Sequence, residues 1–354
     1  MDILLTEPIL ALIKTVILLF GVVLPGASAC VYFERKISAW VQYRVGPNRV
    51  GPFGLLQPIA DVVKLLLKED LIPAAANKTF HFLAPLISIT VAVATFAVIP
   101  FGHYVVIGDE TVYLGVSPNT NIGILIFLAM TSVGVYGLTI AGWSSNNKYS
   151  LLGGLRSASQ MISYELSLGL ALVAVVMISG SLNINQIVID QADNGWNIIY
   201  QPLGFVIFLV ASYAETNRAP FDLPEAEPEL VGGYHTEYSG MKFGIFFLAE
   251  YAAMIVSSAI MATLFLGGWH VPFLPDILVN QLGWTFFGEG EIGLALLQIG
   301  TFTAKIAFFL FLYIWVRWSI PRFRYDQLMN LGWKILLPLA LVNILITGLV
   351  MLFI

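Results

Sequence analysis

From its first residues the chain alternates long apolar runs with polar intervals. Runs able to cross about 30 Å of hydrocarbon at 1.5 Å per residue occupy roughly residues 8–31, 80–101, 121–143, 162–180, 199–216, 243–268, 292–316 and 332–353. None shows the period-two alternation of a barrel strand. Backbone polar groups in lipid must be satisfied within each segment, so all eight runs are predicted to be helices. The expected fold is all-α, a polytopic membrane protein with about eight transmembrane helices in a single integral membrane domain over residues 1–354. A further, shorter helix is predicted at about 55–68, where Gln57, Asp61, Lys64 and Lys68 draw a narrow polar stripe along an otherwise apolar cylinder. Too short to span, it should lie in the membrane interface, either as a plain anchor or as one wall of a lipid-accessible cavity.

Composition agrees with the pattern. With 58% hydrophobic and 11% charged residues over 354, the chain is too apolar for an ordinary soluble domain. No basic patch with interleaved aromatics occurs, so nucleic acid is not expected as a partner. The single cysteine, Cys30, excludes an intramolecular disulfide and a thiolate-held iron–sulfur cluster within this chain. The four histidines, His81, His103, His235 and His270, are too scattered to suggest a metal or haem site. The opening, with Asp2 and Glu7 where a basic segment would stand, is not expected to be a cleaved signal.

Charge placement adds direction. All lysines and arginines except Lys14 and Lys305 fall in or beside the intervals 32–79, 144–161, 217–242 and 317–331, while the alternate intervals 102–120, 181–198 and 269–291 contain none. The positive-inside rule then predicts a cytoplasmic face carrying two large loops and both termini on the opposite side.

Those two loops hold the candidate chemistry. In the first, VGPNRVGPFG from Val45 packs glycine and proline around Arg49 and predicts a tight irregular turn. Glu34, Arg35, Arg44 and Asp61 stand as charges at or just below the interface, where snorkelling to water is the plainest explanation. In the second, Asp222, Glu225, Glu227, Glu229 and Glu237 crowd among Pro220, Pro224 and Pro228. This segment reads as a solvated acidic loop, an oxygen-ligand site for a divalent cation without a recognised spacing, or a buried cluster that takes up protons because crowded carboxylates raise one another's pKa. Within the spans lie Glu165, Glu215 and Glu250, all expected in the cytoplasmic half, with Lys305 near the middle of the seventh span as the candidate counter-charge. A carboxylate facing lipid is costly, so each should face the protein interior, be paired or be protonated; such residues mark ion or substrate paths.

At this point the residues resemble a known family. The strings YFERKISAWVQYRVGPNRVGPFGLLQPIADVVKLLLKED from Tyr32, GWSSNNKYSLLGGLRSASQMISYELSLG from Gly142, AETNRAPFDLPEAEPELVGGYHTEYSGMKFGIFFLAEY from Ala214 and IPRFRYDQLMNLGWK from Ile320 are similar to the quinone-site membrane subunit, lettered H, of bacterial NADH-quinone oxidoreductase, respiratory complex I. The resemblance runs through nearly the whole chain; only the outer intervals, 102–120 and 269–291 above all, match nothing in it.

The resemblance implies a bacterial inner-membrane subunit that binds no redox cofactor or metal itself and takes quinone as substrate. FMN and the iron–sulfur clusters would belong to partner subunits. The implied partners are the peripheral-arm quinone-module subunits, the small and antiporter-like membrane subunits, and membrane lipid. It further implies that Arg35, Arg44 and Asp61 line or shape a quinone channel. Glu225, Glu227 and Glu229, with Glu34 and Glu237 nearby, would couple quinone chemistry to the membrane, and Glu165, Glu215 and Glu250 would begin a proton path. The expected function is coupling of quinone reduction to proton translocation. A related subunit of a membrane-bound hydrogenase-type complex is the alternative. A stand-alone proton-coupled transporter would need an inverted repeat, and the sequence has none.

Overall fold

The computed structural model describes residues 3–107, 110–117, 119–223, 230–272, 286, 288 and 290–353. Among these, seven helices are long and apolar enough to cross a membrane: Leu10–Val41, Lys78–Val98, Gly123–Ser144, Lys148–Ser179, Gly240–Phe265, Ile292–Ser319 and Tyr325–Met351. An eighth apolar helix, Pro202–Glu215, has 14 residues. It therefore reaches about 21 Å, short of the hydrocarbon thickness. Its length is cut at one end by Pro202, which starts it after a short turn of helix, and at the other by the polar turn from Thr216. The eight expected spans thus resolve into seven full-length helices and one short one. The chain is an all-α, multi-pass membrane protein.

In chain order, the first span comprises α1 (Ile3–Ile17) and α2 (Leu24–Val41), joined through a π-helical stretch at Leu18–Val23. The short α3 (Gln57–Leu67) follows, then α4 (Lys78–Thr95), α5 (Gly123–Ser144) and α6 (Lys148–Ser179). Beyond them come α7 (Ile184–Asn194), α8 (Asn197–Tyr200), α9 (Pro202–Glu215), α10 (Gly240–Phe265) and α11 (Ile292–Ser319). The last span is α12 (Tyr325–Asn330), a π-helical Leu331–Leu336 and α13 (Leu337–Met351).

Several boundaries carry physical causes that periodicity does not reveal. Helix α6 begins at Lys148, well before the predicted span, because the Asn147 side chain accepts from the Tyr149 N–H and caps it. Its first turns look loop-like in sequence for their glycines, yet Gly153 and Gly154 are there for contact. A Cβ on Gly153 would lie 2.7 Å from Gly233 Cα, and one on Gly154 would lie 3.2 Å from Leu138 O. In lipid no hydrophobic force draws helices together, so close approach through small residues takes its place. The outer interval 102–120 is not plain loop; it contains an antiparallel hairpin of β1 (Tyr104–Ile107) and β2 (Glu110–Tyr113). Lys14 Nζ donates to Tyr113 O at 3.0 Å and ties α1 to it.

Hydrogen bonds join the polar turns at each end of the bundle. On the side with the basic residues, Asn77 N–H donates to Ser144 O, Leu71 N–H to Ser239 Oγ and Phe323 N–H to Pro220 O. On the other, His103 N–H donates to Gln298 Oε1 and Trp269 Nε1 to Asn185 Oδ1. The main core runs along α10, whose residues from Met254 to Phe265 are almost all buried against α9, α11 and α4. The outward faces of α1 and α13 remain apolar and exposed.

Candidate functional site

Five side chains from four parts of the sequence meet on the basic side of the bundle. Glu34 stands three turns into α2, Arg218 follows α9, Glu250 and Tyr251 lie on α10, and Arg317 is in the last turn of α11. Arg218 Nη1 lies 3.1 Å from Glu34 Oε1 and its Nε 2.6 Å from Glu250 Oε1. Arg317 also donates to Glu34 Oε1, and the Tyr251 hydroxyl donates to Glu34 Oε2 at 2.8 Å. The Arg218 guanidinium lies over the Tyr251 ring, 4.5 Å from its centroid. Glu34 and Arg218 are buried. Burial works against the Arg218 charge, but Glu250 and then Glu34 outweigh it and hold the guanidinium above its ordinary pKa. Such charges persist in a membrane because each faces a partner.

Arg218 is held in place by its loop. The buried Gln160 amide of α6 donates to Ala214 O at 2.8 Å, Phe221 O at 2.7 Å and Asn217 Oδ1 at 3.1 Å, bracketing the arginine on both sides. Asn217 takes a left-handed φ of 51°, which its short polar side chain tolerates. Arg322 pairs with Asp222 at 2.8 Å. Burial nonetheless pushes Asp222 above the usual carboxylate range, with Arg322 and Arg317 pulling the other way.

Beneath this cluster a cavity of about 110 Å³ opens among α4, α5, α6, α9 and α10. Its wall is mostly apolar, with Glu215, Glu250, Ser88, Thr131, Asn217 and Ser257 set into it as polar points, and its volume has room for several waters. Glu165 faces an apolar groove between α6 and α13, lined by Leu128, Ile162, Leu166 and Leu337, and accepts a hydrogen bond from Ser132. The two carboxylates Glu165 and Glu215 lie close enough to feel each other's charge.

Toward the surface, Arg35 pairs with Asp61 at 2.7 Å and so links α2 to α3, while Gln57 donates to Asp61 from one turn earlier. Lys36 Nζ donates to Pro47 O and the Tyr32 hydroxyl to Phe53 O, clasping the glycine–proline loop to α2. Leu65 of α3 seats against Gly244, whereas Ile59, Val63 and Leu66 present an exposed apolar face. Arg44 is exposed at the end of this wall. Glu237 accepts from the Asn147 side chain. Glu225, Glu227 and Glu229 lie outside the described residues.

Lys305 stands near the middle of its span as expected, but it is not the counter-charge of the glutamates. Its ammonium donates to Leu266 O at 2.8 Å, Gly268 O at 2.7 Å and His270 O at 3.1 Å, just past the C-terminal end of α10 on the far side from the glutamates. It sits beside the negative end of a helix dipole rather than beside a carboxylate. A midpoint count along α11 cannot foresee this, because it says nothing of where α10 stops. Arg218, Arg317, Tyr251 and Gln160 likewise belong to the site without standing out as functional residues in the sequence, whereas Asp222 does so as part of the acidic segment. The one available signal is that Arg218 and Asp222 share a proline-flanked turn with the acidic segment. Among the described residues no three His, Cys, Asp or Glu are grouped to hold a metal ion.

The fold and this site define a multi-pass membrane protein with paired and cavity-lining carboxylates next to a sided apolar wall. Residues 13–348 match the family described as NADH dehydrogenase, and the chain belongs to that family. It is 56% identical over 336 residues to NADH-quinone oxidoreductase subunit 8 of Rhodothermus marinus, covering 94% of each chain. It is 52% identical to an NADH-quinone oxidoreductase subunit of Cytophaga hutchinsonii over 95% of each chain, and 53% identical to one of Salinibacter ruber over 94% of this chain and 93% of that one.

Proposed function

We propose that this chain is the membrane subunit of a proton-translocating NADH:quinone oxidoreductase that walls the quinone site and couples quinone reduction to buried carboxylates. The observation that carries the reading is the chain of contacts from Glu34 through Arg218 to Glu250 and the cavity that Glu250 shares with Glu215. Other subunits of the same complex are its partners and supply the redox groups. The basic side faces the cytoplasm of a bacterial inner membrane, the termini face the other way, and the peripheral arm docks over α3 and the two basic-side loops.

In this reading quinone lies against α2, α3 and the adjoining loop, with Arg35, Arg44 and Asp61 shaping its path. Reduction to quinol consumes two electrons, delivered by a partner's iron–sulfur cluster, and two protons. Negative charge on the quinone draws on Arg218 and Arg317, loosening their hold on Glu34 and Glu250 and raising the proton affinity of those carboxylates. Glu237 and the further carboxylates of the acidic segment, Glu225, Glu227 and Glu229, contribute to the coupling. Waters in the cavity link Glu250 to Glu215, and Glu165 carries the path toward the groove beside α13.

Glu215→Gln and Glu250→Gln in the assembled complex test the relay. Each should cut NADH-driven proton pumping by at least about tenfold, the loss expected when an obligatory proton carrier is removed. Undiminished pumping in sealed vesicles would remove these residues from the path.

A further inference from the structure

Helix α5 borders both the cavity of Glu215 and the groove of Glu165. Phe127, Thr131, Gly134 and Leu138, one face of the helix, line the cavity, and Leu128 lines the groove. The two carboxyls meet consecutive residues of that helix. The Thr131 hydroxyl is within hydrogen-bonding reach of Glu215, and Ser132 donates to Glu165. Neighbouring residues of an α-helix stand about 100° apart around its axis, so one step of sequence turns a hydroxyl to each side.

The two hydroxyls also have an acceptor in common. Thr131 Oγ1 donates to Leu128 O at 2.9 Å, and Ser132 Oγ donates to the same oxygen at 3.0 Å. That oxygen is in addition the acceptor of the Ser132 N–H within α5, four residues back along the helix. A carbonyl oxygen has two lone pairs, so three donors compete for two places, and each hydroxyl brings a single hydrogen. The helix fixes the N–H. The hydroxyls are free to turn, and each has a carboxyl to turn to.

We infer that Thr131 and Ser132 are positioning residues that couple Glu215 to Glu165 through the Leu128 carbonyl, so that the two carboxyls favour opposite protonation states. An ionised Glu165 draws the Ser132 hydrogen to itself and leaves Leu128 O to Thr131, whose oxygen then accepts from a protonated Glu215. A protonated Glu165 gives its own hydrogen to Ser132 Oγ. Ser132 then turns to Leu128 O, and the Thr131 hydrogen is released to an ionised Glu215. Hydroxyl rotation is the only movement, and no O–H bond of Thr131 or Ser132 is made or broken. The role rests on the glutamate relay proposed above, for which it supplies the coupling across α5.

Infrared titration of the assembled complex tests it, following the carboxylic-acid band that Glu215→Gln removes. Among the described residues the titratable groups facing Glu215 are Glu165 of α6, Glu250 of α10 across the cavity and Tyr313 of α11. Glu165→Leu is the background, since it removes both the charge repulsion between the two carboxyls and the second acceptor of Ser132; Glu165→Met serves if that variant does not assemble. There, Ser132→Ala leaves Leu128 O to Thr131 and should raise the proton affinity of Glu215 about tenfold, the size of one lost hydrogen bond to a charged group. Thr131→Val should raise it as much. Ser132→Ala added to Thr131→Val should change nothing further, because both act through one hydroxyl. Thr131→Ser keeps that hydroxyl and should leave the titration in place, which separates the hydrogen bond from packing. A Glu215 titration unmoved by Ser132→Ala, or shifts in the two variants that add, would overturn the coupling. The relay fails separately, since undiminished pumping in Glu215→Gln refutes it wherever the bands lie.

Discussion

Arg218 touches two carboxylates and an aromatic face while being almost wholly buried. Removing a buried pair's common partner leaves charges that water cannot reach, a loss of about 3–5 kcal/mol. Arg218→Met should therefore lower the thermal unfolding temperature of the purified complex, and adding Glu250→Gln should recover part of the loss. Equal unfolding temperatures for Arg218→Met and the wild type would show that the cluster is not held by this residue. The carboxylate half of the cluster is legible in the sequence: Glu34 and Glu250 stand out because lipid penalises them wherever they occur. Their partners are not, because Arg317 lies 283 positions from Glu34 and no local spacing reports such a distance. Tyr251 is hidden differently, since a tyrosine in an apolar run is ordinary until its hydroxyl is seen to donate.

Elements are legible in proportion to how fully lipid dictates them. Long apolar runs declare α4, α5, α10, α11 and the last span. Amphipathic or short elements escape the same pattern: it cuts α6 short at its polar first turns, overstates α9 as a full span, and gives no sign of the hairpin of β1 and β2. In each case the deciding cause is tertiary or local, a glycine contact, a cap or a hydrogen bond to a distant element. Lys305 illustrates the point for a helix end. Its three carbonyl partners close the terminus of α10, so Lys305→Met should free that terminus and speed amide hydrogen exchange there. Unchanged exchange from residue 262 to 270, measured by mass spectrometry, would count against the clasp.

Across the whole molecule, the basic-side surface, the ionic cluster and the cavity succeed one another in depth, while α10 runs beside them as a buried mast. A photoreactive quinone analogue should accordingly label residues 32–79 and leave the far-side hairpin untouched; labelling confined to residues 102–120 would contradict the placement of the quinone path. The loop carrying Arg218 lies over the cavity, on the side of the proposed quinone path, and its attachment has a telling arithmetic. Gln160 brings two amide hydrogens to three acceptors. The three acceptors share those two hydrogens, and Ala214 O accepts from the Asn217 N–H at 3.4 Å as well. The mount is over-subscribed: were any one acceptor lost, both amide hydrogens would still be employed, and the turn would still hold Arg218 between Glu34 and Glu250.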